Sequence, residues 1–215
     1  FYQDKKLIAI IQNANLKNLQ KNDTQEVRIK GNFLGDNIYI NFKNTKNNNK
    51  PVKKLVVKLL DSQLYIKLDF FDFDDKKEGI KGHALFKQGQ NGLSGNFDYK
   101  NGRVNIEKSK LKNIFSEGEI FGKLEFYPYF TFDLDVDLKS FNFNRLYLIL
   151  SNLDENEQKS LFQINDKING RINLSANRVN SKSNIIKSYE SRIKFENGSI
   201  FIEQFLFNLG KLGAA

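Results

Sequence analysis

The sequence predicts a mainly β protein: an elongated, curled antiparallel sheet, open as a groove or half-pipe, with one short helical insertion. Three observations lead to this prediction. Apolar and polar residues alternate along several segments, two Asn-Gly pairs are flanked by such segments, and a single stretch has helical spacing. Successive side chains of a strand point to opposite faces, so alternation gives one apolar and one polar face. Such one-sided strands are typical of antiparallel sheets.

The clearest alternation lies in residues 130–139, where every second residue is apolar and those between are polar. The same pattern, shorter in the last two cases, occurs in residues 63–70, 168–176, 27–30 and 38–42. Each segment is therefore predicted to be a strand with one buried face. Residues 44–50 are polar and precede Pro51, and they are predicted to form a loop, with a turn at residues 72–79.

Two Asn-Gly pairs predict tight hairpins. Asn101-Gly102 and Asn197-Gly198 both lie between alternating segments. Asn-Gly is the preferred pair for a type I′ turn, because both central residues of that turn have positive φ. The shared pattern Asn-Gly-x-(Val/Ile)-x-Ile-Glu, with its glycines 96 residues apart, suggests a long internal repeat.

One region has helical rather than strand periodicity. Leu146, Ile149, Leu150 and Leu153 are spaced for one face of a helix. Asp154 and Glu157 resemble a capping box for a second short helix that reaches Phe162. Residues 143–163 are therefore predicted to be a helical insertion that covers one end or edge of the sheet.

The composition excludes several classes of protein. There is no cysteine, and therefore no disulfide framework or thiolate metal site. The longest apolar runs, residues 7–11 and 146–150, are much shorter than the ~20 residues of a membrane-spanning helix. The net charge is +9, but the lysines are scattered among asparagines and acids, which favours a solvated surface over a nucleic-acid site. The absence of methionine predicts a fragment of a longer reading frame.

Candidate chemical groups do not form a convincing site. Asp133, Asp135 and Asp137 share one strand face, but a straight strand cannot direct six to eight oxygens at one calcium ion. We interpret them as a solvated face paired with lysines of neighbouring strands. His83 is the only histidine and has no serine, carboxylate or second histidine at a telling spacing. The sequence therefore predicts no enzyme, no catalytic residue, no metal and no cofactor, and leaves the apolar face as either a filled core or an open lining.

The C-terminal part resembles the AsmA-like family of bacterial envelope proteins. The resemblance lies in three segments: residues 133–146 (DLDVDLKSFNFNRL), 168–179 (INGRINLSANRV) and 193–203 (IKFENGSIFIE). In that family a similar strand enters a short helix and is followed by a Gly-x-Ile-x-Leu-x-Ala strand and an Asn/Asp-Gly hairpin. The resemblance covers residues 95–215 as an AsmA-like C-terminal β region. Residues 1–94 share only the general style and are interpreted as a segment of the same extended sheet.

The resemblance implies a non-enzymatic role in lipid transport and outer-membrane biogenesis. Family members are anchored in the inner membrane and extend through the periplasm, so this protein is expected there, with an anchor outside the fragment. The implied partners are phospholipid acyl chains, the inner membrane and an outer-membrane or other envelope protein, with no nucleic acid. The residues implied to line a lipid groove are Phe130, Phe132, Leu134, Val136, Leu138, Ile172, Leu174, Ile193, Phe195, Ile200 and Ile202.

Two other functions are open at this point. One is a structural β-repeat scaffold with a filled core that spaces or docks other domains. The weaker one is a basic nucleic-acid-binding domain.

Overall fold

The computed structural model describes residues 2–3, 6–7, 11–21, 24–33, 35–47, 50–74, 79–126, 130–155, 167–182 and 185–214. Fourteen strands form one sheet. Its order follows the chain from β3 (Ile11–Lys21) to β13 (Asn169–Ala176) and continues to β15 (Ser188–Glu196) and β16 (Ser199–Asn208). The short strand β14 (Val179–Asn180) lies off this path, beside β12 (Thr131–Asn142). The edge strands β3 and β16 do not pair with each other, so the sheet is not closed. The predicted class, a mainly β protein with an unclosed antiparallel sheet and a short helix, is confirmed. The chain divides into two units, residues 1–96 and 97–215.

The first unit is a run of antiparallel strands joined in sequence order. A small separate pair, β1 (Tyr2–Gln3) and β2 (Lys6–Leu7), precedes them. The main strands are β3 (Ile11–Lys21), β4 (Thr24–Phe33), β5 (Asp36–Asn47), β6 (Lys50–Leu59), β7 (Leu64–Asp74) and β8 (Gly79–Gln88). Strand β9 (Asn91–Lys100) begins in this unit and ends in the next.

The second unit contains the remaining strands, the helix α1 and a short 3-10 helix. They are β10 (Arg103–Lys112), β11 (Ser116–Glu125), β12 (Thr131–Asn142), α1 (Phe143–Ser151), β13 (Asn169–Ala176), β14 (Val179–Asn180), β15 (Ser188–Glu196), β16 (Ser199–Asn208) and a 3-10 turn, Gly210–Leu212. The alternating segments predicted as strands lie within strands of the described chain, except for their first residues Gln63, Phe130 and Ile168, which directly precede β7, β12 and β13.

Both predicted hairpin turns have the expected backbone. Asn101 and Gly102 have φ of 51° and 75°, and Asn197 and Gly198 have φ of 51° and 78°. Positive φ at both central positions is the signature of the type I′ turn, whose twist matches that of the flanking strands. The second turn is also held from outside, because Asn197 N donates to Asn169 Oδ1 at 3.0 Å.

The predicted helix occupies a crossover between two parallel strands. Asn142 begins α1, and its Oδ1 accepts a hydrogen bond from Arg145 N at 3.0 Å. Strands β12 and β13 run parallel, with Thr131 opposite Asn169 and Leu138 opposite Ala176. A parallel neighbour cannot be reached through a two-residue turn and needs a crossover of a dozen or more residues. The segment that contains α1 therefore connects the end of β12 with the start of β13, which lies at the opposite end of the sheet.

Two predicted connections extend too far into the neighbouring strands. Residues 44–47 belong to β5 and β6 begins at Lys50, so the predicted polar loop is mostly strand, with Asn44 opposite Lys53. Strand β7 continues through Asp74 and β8 begins at Gly79, so the ends of the turn predicted at residues 72–79 are strand, while residues 75–78 lie outside the described residues. Backbone pairing extends each hairpin beyond its apolar residues, because ladder hydrogen bonds do not depend on side-chain polarity. Most of the predicted second helix, including Glu157 and Phe162, lies outside the described residues.

Asp36 links two turns at one end of the first unit. Its Oδ1 accepts from Asp61 N at 2.9 Å, and its Oδ2 accepts from Ser62 N and Oγ at 3.0 and 2.5 Å. Asp61 Oδ2 in turn accepts from Asn37 N and Nδ2 at 3.0 and 3.1 Å. The hydrogen bond from the Ser62 hydroxyl, assisted by the two backbone N–H groups, lowers the pKa of Asp36 from 3.8 to about 2.

This network predicts an acid-sensitive stability. Because the pKa of Asp36 is depressed on folding, its stabilising effect is fully present above the ordinary value of 3.8 and is lost as pH falls towards about 2. We expect Asp36→Asn to lower the urea midpoint at about pH 6, and expect the gap from wild type to shrink through that acid window. Asp133→Asn, which removes the same charge from the second unit, is the control. A gap that stays constant across the window would contradict the prediction.

Candidate functional site: the apolar face of the sheet

The register of the second unit aligns apolar residues into rows that cross the strands. One row reads Ile106, Gly122, Leu134, Ile172, Ile193 and Ile202 from β10 to β16. The next row reads Val104, Leu124, Phe132, Gly170, Phe195 and Ile200. Neighbouring strands lie about 4.8 Å apart, so six strands carry a row over about 24 Å. The alternation within each strand thus becomes a continuous apolar face.

Glycines on this face allow close packing. A Cβ at Gly170 would lie 2.6 Å from Cγ of Phe132. The Phe132 ring of β12 therefore lies over the glycine of β13 and reaches the Phe195 ring on β15, with centroids 5.3 Å apart. Phe126 and Phe130 continue the aromatic series, with centroid distances of 5.6 Å to each other and 6.1 Å from Phe130 to Phe132. This end of the face is lined by phenylalanine rings.

Burial is unequal along the face. At the end next to α1, the buried residues Val136, Leu138, Phe141, Ala176, Val179 and Tyr189 form one cluster. Leu146 of α1 packs against this cluster, and burial raises the pKa of Tyr189 to about 12. Away from that end, Leu134 and Phe195 are only half-buried, while Ile202 is 66% exposed. The face is therefore a filled core next to α1, half-buried on the other central strands and exposed on the edge strand β16.

The eleven residues predicted to line a groove are distributed over this gradient. Val136 and Leu138 are buried in the cluster next to α1. Ile200 and Ile202 on the edge strand β16 are exposed. The other seven are half-buried: Phe130, Phe132, Leu134, Ile172, Leu174, Ile193 and Phe195. Strand pairing brings the members on β12, β13, β15 and β16 together on one face.

The first unit has an apolar face of the same kind, which the sequence analysis did not assign to the site. Two of its rows are Val27, Phe42, Leu55, Leu68 and Ala84, followed by Ile29, Ile40, Val57, Ile66 and Phe86. All ten side chains are half-buried. Among the described residues of this unit, Ile38 is the one buried hydrophobic side chain. A five-stranded apolar face is therefore present without a filled interior in the described part of the unit.

Strand irregularities keep further residues on the apolar face of the second unit. Phe205 and Phe207 are odd-numbered, whereas Ile200 and Ile202 are even-numbered, so strict alternation would put them on opposite faces. A register shift in β16 leaves Glu203 without an opposite residue, and Phe205 then lies across from Ser191. A bulge of this kind restores the face after a break in alternation. Only the Phe-x-Phe spacing itself signalled that these rings belong together.

The opposite face of the second unit is polar and internally paired. Asn173 Nδ2 donates to Asp135 Oδ1 at 2.9 Å, and Ser175 Oγ donates to Asp137 Oδ1 at 2.8 Å. Arg192 Nε extends the first contact by donating to Asn173 Oδ1 at 3.1 Å. The expected lysine partners were therefore wrong for these two acids, since parallel strand β13 places an amide and a hydroxyl beside them. Among the described residues, no three His, Asp or Glu side chains are grouped to hold a metal ion.

His83 has a partner that its sequence context did not indicate. Its Nε2 lies 3.1 Å from Ser94 Oγ on the following strand. Asp69 is opposite His83 on β7, but Asp69 Oδ2 is held by Lys67 Nζ at 2.6 Å. The hydrogen bond from Lys67 to Asp69 raises the pKa of Lys67. The histidine is thus tied to its neighbouring strand by a hydrogen bond that crosses a hairpin.

No helix in the described part of the chain is both long and apolar enough to traverse a bilayer. Comparison of the chain with family models, with curated protein sequences and with solved structures found no match.

Proposed function

We propose that this chain is a non-enzymatic segment of an envelope protein that carries phospholipid acyl chains along its apolar face. The observation that supports the proposal most directly is the set of cross-strand apolar rows whose side chains are largely half-buried. Each acyl methylene kept from water contributes about 0.8 kcal/mol. A continuous apolar lining would let a chain slide between rows without passing through water.

The position of the lipid follows from the two faces of the sheet. Acyl chains would contact Leu134, Ile172 and Ile193, while the headgroup would stay at an open edge in water. The AsmA-like resemblance supports this arrangement and extends it to an inner-membrane anchor, a periplasmic location and transport towards the outer membrane. These assignments are part of the proposal.

A scaffold with a filled core is the second candidate, and one observation favours it. The cluster around Leu138, which is 3% exposed, is packed as a core. If the same packing continued along the rows, the face would hold no ligand.

Photo-crosslinking separates the two candidates. A photoreactive residue at position 134 is expected to form lipid adducts when the full chain is incubated with phospholipid, because this side chain lies on the apolar face. The matched position 135 lies on the polar face of the same strand and is expected to form none. Equal labelling at both positions, or none at either, would contradict the proposal and leave the scaffold.

A further inference from the structure

The polar face of the first unit contains a row in which lysine and tyrosine alternate. Lys30, Tyr39, Lys58, Tyr65 and Lys87 are successive register partners on β4, β5, β6, β7 and β8. The five positions are widely separated in sequence, and each belongs to a different strand. The row spans about 19 Å at about 4.8 Å per strand. Lysines that are scattered along the chain are thus gathered on one line of one face.

Among the described residues, the charge of this row is not neutralised by ion pairs. In the adjacent rows, Arg28 makes two hydrogen bonds to Glu26, at 2.8 and 2.9 Å, and lowers the pKa of that carboxyl. Asp69 is likewise held by Lys67 at 2.6 Å, with Lys54 at 3.9 Å. Among the described residues, no ion pair joins an acid to the three lysines of the row, whose side chains are exposed. The row is therefore a line of available positive charge.

A cleft of about 640 Å³ lies at one end of the row. Its lining is mixed: two lysines and Tyr39, four asparagines, and the non-polar residues Gly31, Ile38 and Leu60. The lysines and asparagines are Lys30, Lys58, Asn13, Asn15, Asn32 and Asn37. The register of β3 shifts between Gln12 and Asn15, and Asn13 has φ of 51°. Such a bulge bends an edge strand, and here it is found beside the cleft.

The amides of the cleft are partly oriented by their own hydrogen bonds. Asn32 Oδ1 accepts from Gly35 N at 3.1 Å, which leaves its Nδ2 as a donor. Asn37 Nδ2 donates to Asp61 Oδ2 at 3.1 Å, which leaves its Oδ1 as an acceptor. Neighbouring hydrogen-bond donors and acceptors suit hydroxyl groups, because each hydroxyl can both donate and accept a hydrogen bond. The ammonium groups of Lys30 and Lys58 suit phosphate oxygens.

We propose that this cleft and the row of lysines that leads from it bind a phosphorylated saccharide. The phosphate would lie at the Lys30 ammonium, with the positive charge of Lys58 two strands away on the other side of Tyr39. The sugar hydroxyls would meet the asparagine amides. The Tyr39 ring offers a flat apolar surface to the C–H face of a sugar. The lysine row lies on the face of the first unit opposite that unit's own apolar rows, and the proposal does not depend on lipid binding.

Two other anionic partners fit less well. Single-stranded nucleic acid binds by stacking successive bases on aromatic faces, but one of the two rings of the row is covered, because Lys58 Nζ lies over the Tyr65 ring, 5.7 Å from its centroid. An anionic bilayer is flat and would also contact the adjacent rows. The positive charges of Arg28 and Lys67 in those rows are already paired with acids and would add little to its binding. A narrow ligand that follows the single row matches the distribution of available charge.

Binding of mannopentaose phosphate to the full chain tests the proposal, with unphosphorylated mannopentaose, oligothymidylate and phosphatidylglycerol vesicles as comparison ligands. We expect the phosphorylated sugar to bind and the double variant Lys30→Gln/Lys58→Gln to weaken it about tenfold or more. The matched variant Lys110→Gln/Lys112→Gln removes the same charge from β10 and is expected to bind like wild type. Tyr39→Ala is expected to weaken binding, while Tyr39→Phe retains it.

Several outcomes would overturn the proposal. They are absence of binding to the phosphorylated sugar, equal weakening by both lysine pairs, and equal affinity for the unphosphorylated sugar. Tighter binding of oligothymidylate would assign the row to nucleic acid, and binding to vesicles alone would assign it to a bilayer. Circular dichroism of each variant checks that the sheet is retained.

Discussion

Gly122→Val is expected to unfold or severely destabilise the second unit. Gly122 has φ of +138°, a conformation that side chains other than glycine rarely adopt, and a Cβ there would overlap the carbonyl oxygen of Asp133. The Cα of Leu134 would also lie 3.0 Å away. These are backbone atoms of the paired strand β12, so no rotamer change can relieve the overlap. Strain and overpacking together predict a loss of about 3 kcal/mol or more in the free energy of unfolding.

Urea denaturation followed by circular dichroism measures this loss, and hydrogen exchange locates it in β11 and β12. Gly92→Ala is the matched control, because a Cβ at that position would have the Phe86 carbonyl oxygen at 3.8 Å, an ordinary contact. That variant is expected to change stability by less than about 1 kcal/mol. A Gly122→Val protein with wild-type stability would show that β11 and β12 do not approach as closely as described.

Leu138→Ala is expected to cost far more stability than Ile202→Ala, although both residues lie on the same apolar face. Leu138 is 3% exposed and belongs to the cluster next to α1, so its truncation leaves a cavity and is expected to cost about 2–5 kcal/mol. Ile202 is 66% exposed, so its truncation removes little buried apolar area. It is expected to lower the free energy of unfolding by less than about 1 kcal/mol. The difference between the two losses in stability measures how much more the buried cluster next to α1 contributes than the exposed edge strand β16.

Urea midpoints of the two variants give the comparison, at constant protein concentration. Equal losses would mean that Ile202 is covered in solution, for example by a second molecule, and a concentration-dependent midpoint would reveal such association. Added phospholipid provides a second readout. If the exposed part of the apolar face binds acyl chains, added phospholipid is expected to raise the urea midpoint of the wild-type protein.

Much of the local structure was predictable because it depends on neighbours in sequence. Period-two alternation predicted β12 within a few residues of its observed limits, and Asn-Gly predicted both type I′ turns. The helix was predicted from the spacing of Leu146, Ile149 and Leu150. Each of these features is encoded over fewer than about ten residues by backbone preferences and side-chain direction.

The parallel pairing of β12 and β13 was not predicted. Alternation is the same for parallel and antiparallel strands with one solvated face, so the pattern around Ile172 carries no information on strand direction. The length of the connection does carry that information, since a helical insertion between two strands is what a parallel crossover requires. The sequence predicted that the helix covers one end or edge of the sheet, but did not predict that it lies in the connection between two parallel strands.

The extent of the apolar face also required the structure. Gly118 and Gly122 belong to it, although glycine is not counted as an apolar residue in an alternation pattern. Phe205 and Phe207 reach it only through the bulge at Glu203. A one-residue shift moves every later side chain to the other face, so the side of the sheet on which a residue lies depends on every irregularity before it.

The sequence by itself determined that this chain forms one-faced strands joined by tight turns, because side-chain direction in a strand follows from the backbone alone. Only the tertiary structure decided what those faces contain. Register aligns single apolar residues into rows that cross six strands, and it places Lys30, Lys58 and Lys87 on one line. Packing next to α1 buries Leu138, whereas Ile202 on the edge strand stays exposed. Such arrangements depend on which residues lie opposite each other across strands, and that pairing is set by bulges and turns far apart in the chain.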